Sequence, residues 1–233
     1  MASLKWVRPI LLVVGVTLAL GATAVAVLVI AFGMRIEMTG NGLRPVFLFD
    51  DPEEHFSQLE ENRAQHYSHL LPAASSVPDR ENAGGPYWTN FRGPTRDGRY
   101  TQTAIRTDWP ADGLTSQWQQ PIGGGYASFV VAEGRAVTIE QRRDQEVVTA
   151  YDVQTGRELW NHAWVAEFKE FQGGPGPRAT PTWHDGRIYA LGATGYLWSL
   201  DAATGNVIWS RNILKDSQAT NPQWAMASSP LVV

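Results

Sequence analysis

Hydrophobic and polar positions divide the chain into three patterns. The first is an unbroken apolar run. Residues 10–32 (ILLVVGVTLALGATAVAVLVIAF) lie within a stretch of 26 uncharged residues between Arg8 and Arg35. As a helix rising ~1.5 Å per residue, that run spans roughly 34 Å, enough to cross a hydrocarbon core of about 30 Å. Ala22-Thr23-Ala24 and Ala24-Val25-Ala26 match the small-residue pattern of a signal-cleavage site. A secretory signal has an apolar region of only about 7–15 residues, however, so the longer run predicts an uncleaved anchor. Lys5 and Arg8 precede it, and Arg35 is soon answered by Glu37. That asymmetry places the N-terminus in the cytoplasm and the remainder of the chain outside it.

The second pattern is polar with helical spacing. Residues 36–50 (IEMTGNGLRPVFLFD) read as irregular. Asp51-Pro52-Glu53-Glu54 then carries a helix start: Asp51 caps, Pro52 suits the first helical position, and Glu54 sits where a capping box places its acid. Phe56, Leu59, Tyr67, Leu70 and Leu71 extend the spacing and predict a helix over 52–71. His55, His66 and His69 lie on it, but no carboxylate completes a metal-ligand spacing, so they read as a polar face. Residues 72–87, rich in Pro, Ala, Ser and Gly, read as a linker.

The third pattern is alternation that repeats. Ala150-Tyr151-Asp152-Val153-Gln154-Thr155-Gly156-Arg157-Glu158-Leu159-Trp160 matches Ser199-Leu200-Asp201-Ala202-Ala203-Thr204-Gly205-Asn206-Val207-Ile208-Trp209, an offset of 209 − 160 = 49 residues. Residues 128–135 pair with 180–187 at an offset of 180 − 128 = 52 residues, and a third copy opens at Ser229-Pro230. One unit predicts four antiparallel strands, at 128–131, 136–141, 146–151 and 158–163. An Asp-x-x-Thr-Gly turn reverses the chain between the last two, its Asp accepting backbone N–H groups and its Gly supplying a positive φ. Four strands on a period of about 40–50 residues point to an all-β fold, a β-propeller of four-stranded antiparallel blades following an N-terminal transmembrane helix. The recurring tryptophan is suited to filling the space between stacked blades. Trp118 aligns with Trp160 and Trp209 and reads as an orphan fourth strand. Two full units, that orphan and one opening strand cannot close a ring of about 4–8 blades. The chain is therefore expected to be the N-terminal part of a longer protein, divided into 1–35 (cytoplasmic tip and anchor), 36–87 (helical neck and linker) and 88–233 (propeller repeats).

Composition removes several function classes. A net charge of −4 gives nucleic-acid binding no electrostatic support. With no cysteine, disulfides, thiol nucleophiles and Cys-ligated metal sites are excluded. Gly123-Gly124-Gly125 precedes a strand instead of opening a helix, which argues against a dinucleotide loop.

The Asp-x-x-Thr-Gly-x-x-x-Trp repeat (Asp152/Trp160 and Asp201/Trp209) resembles the pyrroloquinoline-quinone-type (PQQ-like) propeller repeat, which is shared by quinoprotein alcohol dehydrogenases and the assembly factor BamB. Trp88-Thr89-Asn90-Phe91-Arg92-Gly93-Pro94-Thr95-Arg96-Asp97-Gly98 is similar to the segment that precedes the propeller in bacterial proteins of this type. Gly176-Pro177-Arg178-Ala179-Thr180-Pro181-Thr182 and Gly192-Ala193-Thr194-Gly195 extend the match. The resemblance covers about 88–233 and implies the fold. It leaves the activity open, because propellers host catalysis, cofactor binding and scaffolding alike. The adjacent cysteines of many quinoproteins and the N-terminal cysteine of BamB are absent, and no calcium-ligand or catalytic-Asp motif can be placed.

Arg178, Glu140 and Gln141 are the candidate cofactor-binding residues, since strand ends line the faces of a propeller ring and an Arg there suits an anionic group. Asp152 and Asp201 recur once per unit and read as turn residues. The expectation is a single-pass protein of a bacterial inner membrane whose periplasmic propeller binds or assembles a protein partner, without nucleic acid. The alternative is a dehydrogenase oxidising an alcohol or sugar with PQQ and calcium.

Overall fold

The computed structural model describes residues 4–38, 44–49, 51–68 and 87–233. Most of the expected linker, together with His69, Leu70 and Leu71, lies outside the described residues, as do the side chains of His66 and Tyr67. The chain divides into two units, Met1–His55 and Phe56–Val233.

The first unit opens with α1 (Leu4–Phe32). Its segment Pro9–Phe32 is long and apolar enough to cross a membrane, and its side chains are exposed throughout. Thr17 and Thr23 donate their hydroxyls to the carbonyls of Val13 and Ala19, both at 2.9 Å. Those bonds satisfy the two hydroxyls within the helix, which lowers the cost of placing them in lipid. Residues 36–50, expected to be irregular, instead contain a hairpin of β1 (Arg35–Met38) and β2 (Pro45–Leu48), with Ile36 opposite Phe47. The unnoticed signal was the Gly40-Asn41-Gly42 sequence between two short apolar runs. α2 (Pro52–Ser68) follows, capped by the Asp51 carboxylate, which accepts the Glu53 N–H at 2.9 Å.

The second unit holds two four-stranded antiparallel sheets, which are two propeller blades. The first is β3 (Val130–Ala132), β4 (Arg135–Arg142), β5 (Gln145–Asp152) and β6 (Glu158–Val165). A two-stranded excursion follows, β7 (Lys169–Glu170) with β8 (Gly174–Pro175). The second blade is β9 (Thr182–His184), β10 (Arg187–Leu191), β11 (Tyr196–Asp201) and β12 (Val207–Asn212), and a short α3 (Ile213–Asp216) follows it. The expected strand positions hold to within about two residues, a normal margin for element ends. The exception is the segment around Trp118, which is not a strand. Among the described residues it has no neighbouring strands to pair with.

The two blades repeat their turns in atomic detail. Glu133-Gly134 and Asp185-Gly186 both adopt positive φ (48° and 71°, 47° and 69°), the geometry of a two-residue hairpin loop that matches strand twist. Asp152 accepts N–H groups from Gln154 and Thr155 and the Thr155 hydroxyl, at 3.1, 2.8 and 2.8 Å. Asp201 does the same for Ala203 and Thr204, at 3.1, 2.9 and 2.8 Å. In each turn a single carboxylate oxygen, Oδ1, accepts all three bonds.

Register sorts the first blade into two faces. Val137, Ala150 and Trp160 are mutually opposite, as are Ile139, Val148 and His162. This face packs on Trp183, Ile188, Ala190 and Leu200 of the second blade and forms the core. Glu146 belongs to it too, and its carboxylate accepts the Ala193 N–H of the second blade at 2.7 Å. Burial pushes that carboxyl up to about 7, although the Ala193 bond pulls the other way.

The tryptophans join the blades through the turns. The Trp160 ring lies on Gly205, where an added Cβ would come within 2.5 Å of its Cε3, and its indole donates to the Ala202 carbonyl at 3.1 Å. Trp118 repeats the arrangement one unit earlier. A Cβ on Gly156 would stand 2.5 Å from its Cε3, and its indole donates to the Val153 carbonyl at 2.8 Å. Trp118 thus occupies the place of a preceding blade's tryptophan without belonging to a strand. The turn glycine is needed twice, for its φ of +75° and for the flat contact.

Substituting glycines that share a φ but not a neighbour separates these two needs. Gly186 has φ +69° and nothing within 4 Å of the methyl that alanine would add, so Gly186→Ala carries backbone strain alone, about 1 kcal/mol. Gly205→Ala adds overpacking against Trp160 and is expected to cost about 3 kcal/mol in all. Thermal or urea unfolding of the two variants checks the ordering.

Candidate functional site

The face of the first blade turned away from the second is polar and ion-paired. Tyr151 and Glu158 stand opposite one another on it, with Thr149 beside Asn161 and Glu140 beside Val147. α2 supplies Arg63, whose Nε donates to Glu158 at 2.5 Å and whose Nη2 donates to Glu140 at 3.1 Å. Arg142 also donates to Glu140, and to the Thr149 hydroxyl at 2.6 Å. Glu140 further accepts the Gly123 N–H. Burial pulls the Arg63 guanidinium down, but Glu158 and Glu140 outweigh it and the net direction is up. Burial, with the nearby Glu140 charge, pushes Tyr151 up to about 12. Leu59 completes the seam, 1% exposed, while Arg143 stacks on the Phe56 ring with 5.5 Å to its centroid and pairs with Glu60. Two carboxylates and two guanidiniums neutralise one another here, which suits an element held in place more than a site that acts on a ligand.

The three candidate residues are distributed over separate partners. Glu140 lies in this network. Gln141 is occupied on both ends: its amide donates to the Arg143 carbonyl at 3.1 Å, its side-chain oxygen accepts the Phe168 N–H at 2.9 Å, and its backbone pairs with Gly124. Arg178 donates to the carbonyls of Pro175 and Gly174, at 3.0 and 2.8 Å, with the Tyr126 and Phe168 rings 4.8 and 5.2 Å from its guanidinium carbon. Burial pulls it down, partly offset by Tyr126 and Glu170. None of the three shares a hydrogen-bond partner with another, so they do not converge on one ligand. PQQ with calcium requires a cluster of oxygen ligands for the cation. Among the described residues no three His, Cys, Asp or Glu side chains come together. The described residues therefore supply no acidic cluster for such a cation.

A second arrangement had no role assigned from sequence. Residues 88–98 form a loop stitched to the first strands of both blades, β3 and β9. Trp88 exchanges two backbone hydrogen bonds with Val131, at 2.7 and 2.9 Å, and the Thr89 carbonyl accepts the Trp183 N–H at 2.8 Å. The loop folds over its own Trp88 ring, which a Cβ on Gly93 would strike at 2.7 Å. It stands over an open cavity of about 520 Å³ lined by Asn90, Phe91, Arg92, Arg96, Arg178 and Thr180 on one side and by 227–231 on the other. Its sequence signal was two arginines bracketing Gly93-Pro94, legible as charge but not as a direction.

The sequence model of the family described as "Outer membrane protein assembly factor BamB" (PQQ_2) matches residues 105–233, just over half of the chain. The chain belongs to this family. The family's repeat accounts for both blades and for the tryptophan-bearing segment ahead of them. Among solved structures, the chain is similar to BamB from Moraxella catarrhalis, at 20% identity and a TM-score of 0.33, over 41% of this chain and 26% of that one. It is similar to the quinohemoprotein alcohol dehydrogenase of Comamonas testosteroni at 19% identity and a TM-score of 0.41, over 73% and 25% of the two chains. The quinohemoprotein alcohol dehydrogenase ADHIIG of Pseudomonas putida HK5 gives 19% and 0.44, over 70% and 23%. The chain thus spans about a quarter of the length of each of these. No curated protein matches it.

Removing Arg63 takes one of the two guanidiniums seen to pair with the buried Glu140 and Glu158, leaving Arg142. Arg63→Ala is expected to destabilise the first blade by about 3 kcal/mol, in the range seen when one partner of a buried pair is lost. Arg63→Lys, which cannot fork to both carboxylates, should recover only part of this. Chemical denaturation of the three proteins, with cleavage within α2 by a glutamate-specific protease as a local probe, measures both effects.

Proposed function

We propose that this protein is a membrane-anchored scaffold. In this reading α1 remains in a bacterial inner membrane, the segment 36–87 serves as a neck, and the propeller of 88–233 faces the periplasm and binds or assembles a protein partner. The observation that carries it is the use made of the polar groups. Four carboxylates of the blades are engaged in turns, at Asp152 and Asp201, or in ion pairs, at Glu140 and Glu158, while Glu146 is buried between the blades on the Ala193 N–H. The family's description as an assembly factor supports a role in bringing proteins together. The uncharged segment Pro9–Phe32 of α1, with Lys5 and Arg8 in the turns before it, supports retention with the propeller outside.

The dehydrogenase alternative makes a different demand: turnover with PQQ and calcium. The full-length protein in detergent, supplied with both and with a panel of alcohols and sugars, is expected to reduce an electron-accepting dye no faster than a protein-free control. Robust turnover would overturn the scaffold reading. Carbonate washing of membranes is expected to leave the protein in the pellet with its N-terminal peptide intact, as an uncleaved anchor requires.

A further inference from the structure

The arginine-lined cavity is built more deliberately than a loop surface requires. Arg92 and Arg96 both adopt left-handed backbone conformations, with φ of 65° and 59°. For a residue with a Cβ each costs on the order of 1 kcal/mol, and such strain persists only where surrounding bonds enforce it. Here they do: Gly93 N–H bonds to the Asn90 carbonyl at 2.9 Å, Arg96 N–H to Gly93 at 3.0 Å, and Gly98 N–H to Arg92 at 2.9 Å. The loop is in turn pinned to both blades through Trp88 and Thr89. A rigid support therefore presents two guanidiniums at the cavity.

The lining contains three arginines and no carboxylate. Arg96 spends one contact on the Asn90 side-chain oxygen, at 3.3 Å, and Arg92 makes a long 3.4 Å contact with the Asp97 carbonyl and an electrostatic one with its carboxylate. Each of these two exposed guanidiniums keeps further N–H donors for a ligand, whereas Arg178 is bound to backbone carbonyls and serves as fixed positive charge. Asp97 is outside the lining; its carboxylate accepts the Thr95 hydroxyl and the Arg99 N–H, and the Arg92 charge also acts on it. Around the arginines stand neutral donors and acceptors, Asn90, Ser228 and Ser229, and the exposed ring of Phe91. A volume of about 520 Å³ suits a small molecule.

We propose that this cavity binds an anionic ligand the size of a sugar, its oxyanion held by Arg92 and Arg96, its hydroxyls by Asn90, Ser228 and Ser229, and its apolar face against Phe91. Planar guanidinium forks match carboxylate, phosphate and sulfate oxygens with paired hydrogen bonds, which sets the ligand's charge and leaves its acid group to be measured. The site is separate from the scaffold reading and stands or falls without it.

Calorimetric titration of the full-length protein in a neutral detergent tests the assignment at constant ionic strength, with chloride as the balancing ion. The probes are glucuronate, glucose 6-phosphate and glucose 6-sulfate, with glucose as the uncharged control. At least one anionic sugar is expected to bind saturably and at least tenfold more tightly than glucose, and which one it is identifies the acid group. Arg92→Gln/Arg96→Gln is expected to weaken that binding at least tenfold. Arg99→Gln/Arg106→Gln, with the same charge change on exposed residues outside the cavity, should leave it within twofold. Saturation by none of the probes, or equal effects of the two double variants, would overturn the proposal. Matching tryptophan fluorescence and melting curves for the variants show that any loss is local.

Discussion

The contact on which the rest of the structure depends is the tryptophan ring of one unit lying flat on the turn glycine of the next. Trp118 on Gly156 and Trp160 on Gly205 are the same contact repeated along the chain, each completed by an indole N–H to a carbonyl in the same turn. It explains why aspartate, threonine, glycine and tryptophan recur together. The carboxylate and hydroxyl shape the turn, the glycine lets it close, and the bare glycine surface receives the previous unit's ring. Exposure follows the same logic. Trp160 is 7% exposed beneath the second blade's turn, whereas Trp209 is 38% exposed, with no such turn over it among the described residues.

Once the blades are joined this way, their two faces take on different chemistry. The face shared by the blades is mainly apolar, with Glu146, Gln141 and His162 among its polar groups, and its side chains close on one another. The opposite face of the first blade carries Glu140 and Glu158, which are tolerable in a buried position only because Arg63 and Arg142 reach them. α2 and the loop at 88–98 are thus fastened to the same blade by different means, the helix by ion pairs and the loop by backbone hydrogen bonds. The loop leaves its arginines exposed while the helix uses its own.

The repeated part of the fold was legible because it is local. Strand alternation, the Asp-x-x-Thr-Gly turns and the two-residue hairpins are each decided within about ten residues, and each occurs twice. The structure gave Trp118 a different setting, since its partner turn lies 35 residues away and strand pairing needs neighbours that alignment cannot supply. The candidate site was less legible for a related reason. Glu140 and Gln141 were noticed as polar groups at a strand end, yet what they do is fixed by Arg63, 77 residues earlier, and by Phe168. Arg178 sits by glycines and prolines as the sequence suggests, and their carbonyls occupy it. Arg92 and Arg96 were visible in a motif, but only folding gives them a cavity.

The central claim is that the tryptophan and the turn glycine act as one coupled contact between blades. A double-mutant cycle on Trp160→Leu and Gly205→Ala, followed by urea unfolding, measures that coupling directly. If the claim holds, Gly205→Ala is much less costly once the ring is gone, and the two changes depart from additivity by at least about 1 kcal/mol. Additivity to within about 0.5 kcal/mol would show that the glycine serves its turn alone, and would contradict the account.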